Sequence, residues 1–405
     1  MASSRRTTRT KSGRKSSSGR RTSSRRPRSS GRSRRSSGGS WVALLVLVAA
    51  IFGGYAYLHS HGGKVDLHGL GVGGGESTSG TGTSGSGSDS GTDPAGPAPA
   101  GSTVASGGTT FVFATGTTSE PLIYKFIDSA RSSIDMTMYE LSDTTAVNDL
   151  IARKKAGVDV RVILDQAEKS TNKSAYSTLT SAGVGVVWSS TAFQYTHQKT
   201  LSVDNRESLI LTGNLTANYY SETRDYGDFD SDANDVKAIV AVFDADYAHK
   251  TITPSDADDL LWSPTTSTSR VLSVINGAKK TLDVEGEEFN DPAVVNAIAA
   301  RAKAGVAVRV VVESPSQYAS AISKVVEAGG KVAGYSSSTG LYIHAKAVIA
   351  DAGLSDQTVE IGSMNYTANS LTRNRELGIV LHDTADCSQL ERQFAADFAG
   401  GTAQS

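Results

Sequence analysis

His344 and Lys346 stand two residues apart in the apolar, β-branched run Tyr342–Asp351, and His197 and Lys199 stand in the same relation ahead of Asp204. On an extended strand, residues two apart leave the same face, so each motif predicts an imidazole beside an ammonium. That pair is ill suited to a packed core and well suited to gripping a phosphate. Two histidines facing one phosphate can divide the labour. One imidazole attacks phosphorus, and the other protonates the departing oxygen and then activates water. Lys199 and Lys346 supply charge to the nonbridging oxygens without a metal. Ser363 and Asn365, after Gly362, can add hydrogen-bond donors, as can Asn214 and Thr216 after Gly213. These four and the lysines form the candidate phosphate-binding set.

A histidine nucleophile must be oriented, which calls for a carboxylate partner. Asp225, in Thr223–Gly227, and Glu376, in Asn374–Gly378, follow the two motifs. Each is expected to orient the histidine of its own lobe. Asp204 and Asp351 complete the candidate catalytic set of His197, Lys199, Asp204, Asp225, His344, Lys346, Asp351 and Glu376; within it these two aspartates are read as anchors of the motif strands. Glu140, Glu287 and Glu288 sit at the ends of opening strands, where either a pocket or solvent would suit them. No cofactor and no metal ion is called for.

The elements that must position these groups occur twice. Ile134–Leu141 reads as a strand, Thr145–Ala156 as a helix stopped by Gly157, and Val158–Asp165 as a second strand. Leu282–Phe289, a helix from Pro292 to Ala304 stopped by Gly305, and Val306–Glu313 repeat the series. Lys155-Ala-Gly-Val158 matches Lys303-Ala-Gly-Val306 at an offset of 148, and His197 matches His344 at 147. So constant an offset marks an internal duplication. The predicted fold class is α/β: two duplicated α-β-α lobes with mostly parallel sheets, related by a pseudo-twofold, with the active site between them.

His-x-Lys-x4-Asp followed by Gly-Ser-x-Asn, present twice, resembles the phospholipase D superfamily. His344, Lys346, Asp351, Gly362, Ser363 and Asn365 fit its pattern. The first copy keeps His197, Lys199, Asp204 and Gly213 but has Asn214 and Thr216 where the family's Ser and Asn would fall. The resemblance spans about residues 111–400. It implies metal-independent phosphodiester cleavage through a phosphohistidine, transfer to alcohols as well as water, His197 as nucleophile and His344 as acid.

Charge divides the chain. Residues 1–40 hold twelve Arg and two Lys with no acid, a charge of +14 that leaves −15 for residues 41–405 in a chain of net −1. Such an Arg/Ser-rich arm cannot bury enough surface to order itself. Residues 41–58 (WVALLVLVAAIFGGYAYL) are uncharged and about 27 Å long as a helix, near the roughly 30 Å hydrocarbon core. They read as a signal anchor, or as a signal segment that leaves a secreted product once cleaved. With the arm cytoplasmic, the catalytic part is extracytoplasmic. Residues 59–110 form a Gly/Ser-rich linker, followed by lobes at 111–265 and 266–405. The single cysteine, Cys387, excludes an intramolecular disulfide and reads as semi-buried. The acidic lobes lack the basic footprint of a duplex-DNA binder, and the anchor holds them near lipid. The expected partners are a phospholipid substrate and the membrane, acted on by a monomeric catalytic module. Two alternatives remain: an extracytoplasmic endonuclease of the same superfamily, with nucleic acid as substrate, and an inactive binding module.

Overall fold

Apolar strands and capped helices build the same arrangement twice. The structure is a computed structural model and describes residues 108–113 and 119–405. The arm 1–40, the apolar stretch 41–58 and the linker up to residue 107 lie outside the described residues. Among the described residues, no helix is long and apolar enough to cross a membrane.

The first lobe contains β1 (Thr110–Phe113), β2 (Ser133–Met138), β3 (Asp159–Leu164), β4 (Gly185–Trp188), β5 (Lys199–Val203), β6 (Glu207–Leu211) and β7 (Thr223–Asp230), in the order β1-β7-β6-β5-β2-β3-β4. The second contains β8 (Leu260–Ser263), β9 (Thr281–Gly286), β10 (Ala307–Glu313), β11 (Lys331–Tyr335), β12 (Tyr342–Ile343), β13 (Lys346–Ala350), β14 (Thr358–Gly362), β15 (Glu376–Leu381) and β16 (Thr402–Gln404). Its sheet runs β8-β15-β14-β13-β9-β10-β11, the first lobe's order, with β16 added beside β11. Because β8 pairs with β15, the second lobe recruits chain from before residue 266. β12 leaves its own lobe and pairs in parallel with β7 of the other.

The sheets are mixed, which corrects the expectation that they are mostly parallel. Within each lobe, only β2-β3-β4 and β9-β10-β11 are parallel. The strands β5 and β13, which carry the motif lysines, have antiparallel neighbours on both sides. The cause is connection length. A helical crossover joins β2 to β3, whereas the short turn at Asp204–Arg206 joins β5 to β6 and can only reverse the chain.

The helices Thr144–Lys155 and Pro292–Lys303 start at matched caps. Asp143 accepts from the backbone N–H groups of Thr145 and Ala146, and Asp291 from those of Ala293 and Val294. Each helix ends just before a glycine with positive φ, Gly157 at 95° and Gly305 at 88°. Bidentate ion pairs tie neighbouring strands at equivalent positions. Arg161 grips Asp135 with two 2.8 Å bonds, and Arg309 grips Asp283 with two of 2.7 Å.

Each lobe buries its own apolar cluster, and a third cluster joins them. This third cluster takes Val112, Ile210 and Tyr226 from the first lobe and Trp262, Ile361 and Phe394 from the second. Full burial of such side chains contributes about 1.5–3 kcal/mol each, so the interface is a core. Cys387 lies within it, fully buried rather than semi-buried, and burial pushes its thiol up to about 12. Reciprocal ion pairs cross the same interface. Arg224 of β7 binds Asp397 at 2.6 and 2.9 Å, and Arg375 binds Asp246 at 2.8 Å. Such exchange of equivalent partners is what a twofold relation between the lobes requires.

Candidate active site

The motif histidines do not sit on the strands of their lysines. His197 precedes β5, and His344 lies in the gap between β12 and β13, so each motif is a strand end rather than one continuous strand. What holds each histidine segment is the opposite lobe. The His344 backbone N–H donates to the Arg224 carbonyl at 3.1 Å, and Thr196 bridges Arg375 in parallel register.

This exchange reverses the expected carboxylate pairing. His197 Nδ1 lies 2.8 Å from Glu376 Oε2, and His344 Nδ1 lies 2.8 Å from Asp225 Oδ1. Each carboxylate therefore orients the histidine of the other lobe, because it directly follows the arginine against which that histidine's segment is pinned. The Ser363 carbonyl also approaches His197 Nδ1, at 3.1 Å. A carbonyl only accepts, so Nδ1 carries the proton and neutral His197 has its lone pair on Nε2. Burial first, then the nearby Lys199 charge, lower the His197 pKa below its usual value, against the pull of Glu376. Burial alone would raise Glu376 and Asp225. His197 for Glu376, and His344 for Asp225, outweigh it and hold both carboxyls below the usual range. Further donors hold them in place: Ser370 and Asn374 for Glu376, Thr212 and Thr223 for Asp225.

Both lysines are buried, and each donates to the carbonyl of the histidine two residues before it, Lys199 at 2.7 Å. Burial and then Lys346 push Lys199 down to about 7. Its ammonium lies 4.9 Å from the centre of the Tyr139 ring, and that ring also meets His197 edge-on at 4.5 Å. Lys346 instead pairs with Glu287 at 2.9 Å.

Asp204 and Asp351 are not at this site. They lie at the far ends of β5 and β13, both with positive φ, and cap the turns leading into β2 and β9. Asp204 accepts from the N–H groups of Arg131, Ser132 and Ser133, and Asp351 from those of Lys279, Lys280 and Thr281. Burial opposes the effect, but the Ser133 and Ser132 N–H groups lead in lowering Asp204 to about 2. Their place in the candidate catalytic set is thus corrected to that of anchors, since no atom of either meets a motif histidine or lysine.

Asn214, not Thr216, is the counterpart of Asn365. Val203 faces Glu207 across the first hairpin as Ala350 faces Thr358 across the second, an offset of 151 beyond the turn. Leu215 and Tyr366 then bridge equivalent residues, Leu141 and Phe289. Thr212 accordingly stands where Ser363 does, and it was absent from the sequence-derived set. Asn214 Nδ2 reaches Glu140 at 3.3 Å and Asn365 Nδ2 reaches Glu287 at 3.2 Å, while both amide oxygens are buried without a hydrogen-bond partner. Thr216 is buried beyond this point, at the start of a short 3₁₀ turn.

Three glutamates at the strand ends belong to the site. Burial first, then neighbouring Glu168, raise Glu140; burial and then Glu287 push Glu288 up to about 7. Glu287 goes the other way. Burial opposes ionisation there, but Lys346 and His344 hold it well below the usual carboxylate range.

A family model described as "Cardiolipin synthase, PLD-like domain" matches residues 123–247 and 271–398, more than half of the chain and one match per lobe. Among solved structures, phosphatidylserine synthase from Haemophilus influenzae Rd KW20 is similar at a TM-score of 0.56 and 14% identity, covering 70% of this chain and 85% of that one. Polyphosphate kinase from Porphyromonas gingivalis gives 0.58 and 14%, covering 71% of this chain, which spans only 46% of the kinase. Nuc, a phospholipase D family member from Salmonella typhimurium, gives 0.33 and 24%, over 36% of this chain and 95% of that one. No curated protein sequence matches the chain.

Proposed function

The chain belongs to the phospholipase D superfamily, and on that premise we propose that it is a membrane-anchored phosphodiesterase that acts on phospholipids. The observation that carries this reading is the reciprocal pairing of His197 with Glu376 and His344 with Asp225, which draws both motifs into one site. His197, with its proton on Nδ1, attacks phosphorus through Nε2. The bond from phosphorus to the leaving oxygen breaks, and that oxygen takes a proton from His344. His344 then removes a proton from water, which displaces His197 from phosphorus. The roles follow from the surroundings. His344 Nε2 lies 3.5 Å from Glu287, an acceptor that suits a proton there, whereas no hydrogen bond engages His197 Nε2 among the described residues. Lys199 and Lys346, with the Asn214 and Asn365 amides, hold the nonbridging oxygens. An alcohol in place of water gives transfer instead of hydrolysis.

Lipid is favoured over nucleic acid by the net −15 of residues 41–405 and by the apolar stretch 41–58, which we read as the anchor of an extracytoplasmic catalytic module. One chain supplies both halves of the site, so a monomer suffices. The test supplies the purified chain, in EDTA, with phosphatidylcholine vesicles plus ethanol and, in parallel, with single-stranded DNA. Choline and phosphatidylethanol are expected. DNA cleavage with inert lipid would replace this reading by the nuclease one, and inertness on both, unchanged by His197→Ala, would leave a binding module.

A further inference from the structure

Beside the conservative exchanges of Thr212 for Ser363 and Asp225 for Glu376, the two halves of the site differ in charge at one position. Counting along the duplication, Tyr139 of the first lobe corresponds to Glu287 of the second, at an offset of 148. Tyr139 lays a neutral ring against Lys199 and His197. Glu287 sets a carboxylate against the matching groups. Its Oε2 lies 2.9 Å from Lys346 Nζ, 3.5 Å from His344 Nε2 and 3.2 Å from Asn365 Nδ2, and its Oε1 accepts from the Tyr342 hydroxyl. Lysine ammonium, imidazole Nε2 and asparagine amide are the donors that a phosphate oxygen would seek, so Glu287 already holds an anion's place among them.

We propose that Glu287 is a specificity-determining residue that admits monoanionic phosphodiesters and rejects dianionic phosphomonoesters. An entering phosphate must lie beside this carboxylate or push it aside, and both are harder for a second negative charge. Glu287 offsets the charge of Lys346, the cation that would otherwise hold a second negative charge on the phosphate. Glu140 and Glu288 do not share the role: of the three glutamates, only Glu287 forms ion pairs with Lys346 and His344 among the described residues, and these cations keep it ionised. The consequence is chemical. A diesterase whose product is a phosphomonoester releases a dianion from a pocket built against it, which limits product inhibition.

The inference rests on the phosphodiesterase reading, and binding separates the two. Methyl phosphate and dimethyl phosphate are titrated into the full chain at pH 7.5, where the monoester is a dianion. Wild type is expected to favour dimethyl phosphate, and Glu287→Gln, which keeps a hydrogen-bonding amide in place, to shift the ratio toward methyl phosphate by about tenfold or more. At pH 5 the monoester is a monoanion, so the wild-type preference is expected to shrink without any substitution. Glu288→Gln should leave the ratio unchanged. A Glu287→Gln protein that loses affinity for both ligands equally would reduce Glu287 to a support for Lys346 and overturn the proposal, as would an unshifted ratio. If neither ligand binds wild type, the phosphodiesterase reading itself fails.

Discussion

Replacing Glu376 by glutamine tests the exchange between lobes more sharply than removing either histidine. The substitution leaves one amide oxygen, which can accept from His197 Nδ1 only by giving up Ser370 and Asn374, and it deletes the charge that faces Nδ1 at 2.8 Å. Phosphorylation at Nε2 turns the imidazole into a cation. At about 4 Å between charge centres and an effective dielectric of about 20, the carboxylate stabilises that cation by at most about 4 kcal/mol. A neutral hydrogen bond retains about 1 kcal/mol. The loss is then about 2–3 kcal/mol, or roughly 30- to 150-fold in the phosphorylation rate. The matching substitution Asp225→Asn acts on His344 and so on protonation and water activation. A p-nitrophenyl diester, whose leaving group needs no acid, separates the two in stopped flow. Glu376→Gln should slow the burst of p-nitrophenolate, whereas Asp225→Asn should preserve the burst and slow the steady state behind it. The reverse assignment, with Asp225→Asn abolishing the burst, would refute either the crossed pairing or the role given to His197. Thermal unfolding of each variant near wild type would confirm that the kinetics report chemistry.

Three further outcomes follow from the same geometry. Asp204→Asn should leave kcat unchanged but cost about 1 kcal/mol at neutral pH, a figure discounted for solvent. Its folded pKa of about 2 is depressed, so its contribution is present above pH 4 and lost as pH falls through 2, which denaturant melts at pH 7 and pH 2 can check. Because burial lowers Lys199 to about 7, kcat/KM for a phosphodiester should fall as pH rises above 7 through loss of that ammonium, and Lys199→Arg should extend the plateau to higher pH. Asn214→Ala should lower kcat/KM by about tenfold or more, as loss of a hydrogen bond to a charged phosphate implies, while Thr216→Ala should stay near wild type; equal effects would undo the correspondence of Asn214 with Asn365.

What the sequence could and could not disclose follows from which contacts are local. The His-x-Lys spacing, the offset of 148 and the two carboxylate-bearing segments are patterns along the chain, and they sufficed for the duplicated lobes and for most of the site's members. Pairing across the lobes is not such a pattern. Nothing in the order of residues distinguishes Asp225 serving His197 from Asp225 serving His344 until β12 is seen to pair with β7. The second failure was one of counting. The turn after Asp351 is longer than the turn after Asp204, and taking Gly213 as the counterpart of Gly362 shifts the first copy's Ser and Asn positions by two residues and makes that copy look more altered than it is. Counting from the hairpin instead, with Val203 opposite Glu207 and Ala350 opposite Thr358, brings Thr212 onto Ser363 and Asn214 onto Asn365. The difference in charge between the copies that survives this correction is Tyr139 against Glu287, one residue before Glu140 and Glu288. Strand-end glutamates read equally well as solvated, and only the contacts of Glu287 with Lys346 and His344 set it apart. The asymmetry of the chemistry therefore lies in the opening strands, outside both motifs, where a twofold scaffold sets the neutral ring of Tyr139 beside His197 and the carboxylate of Glu287 beside His344.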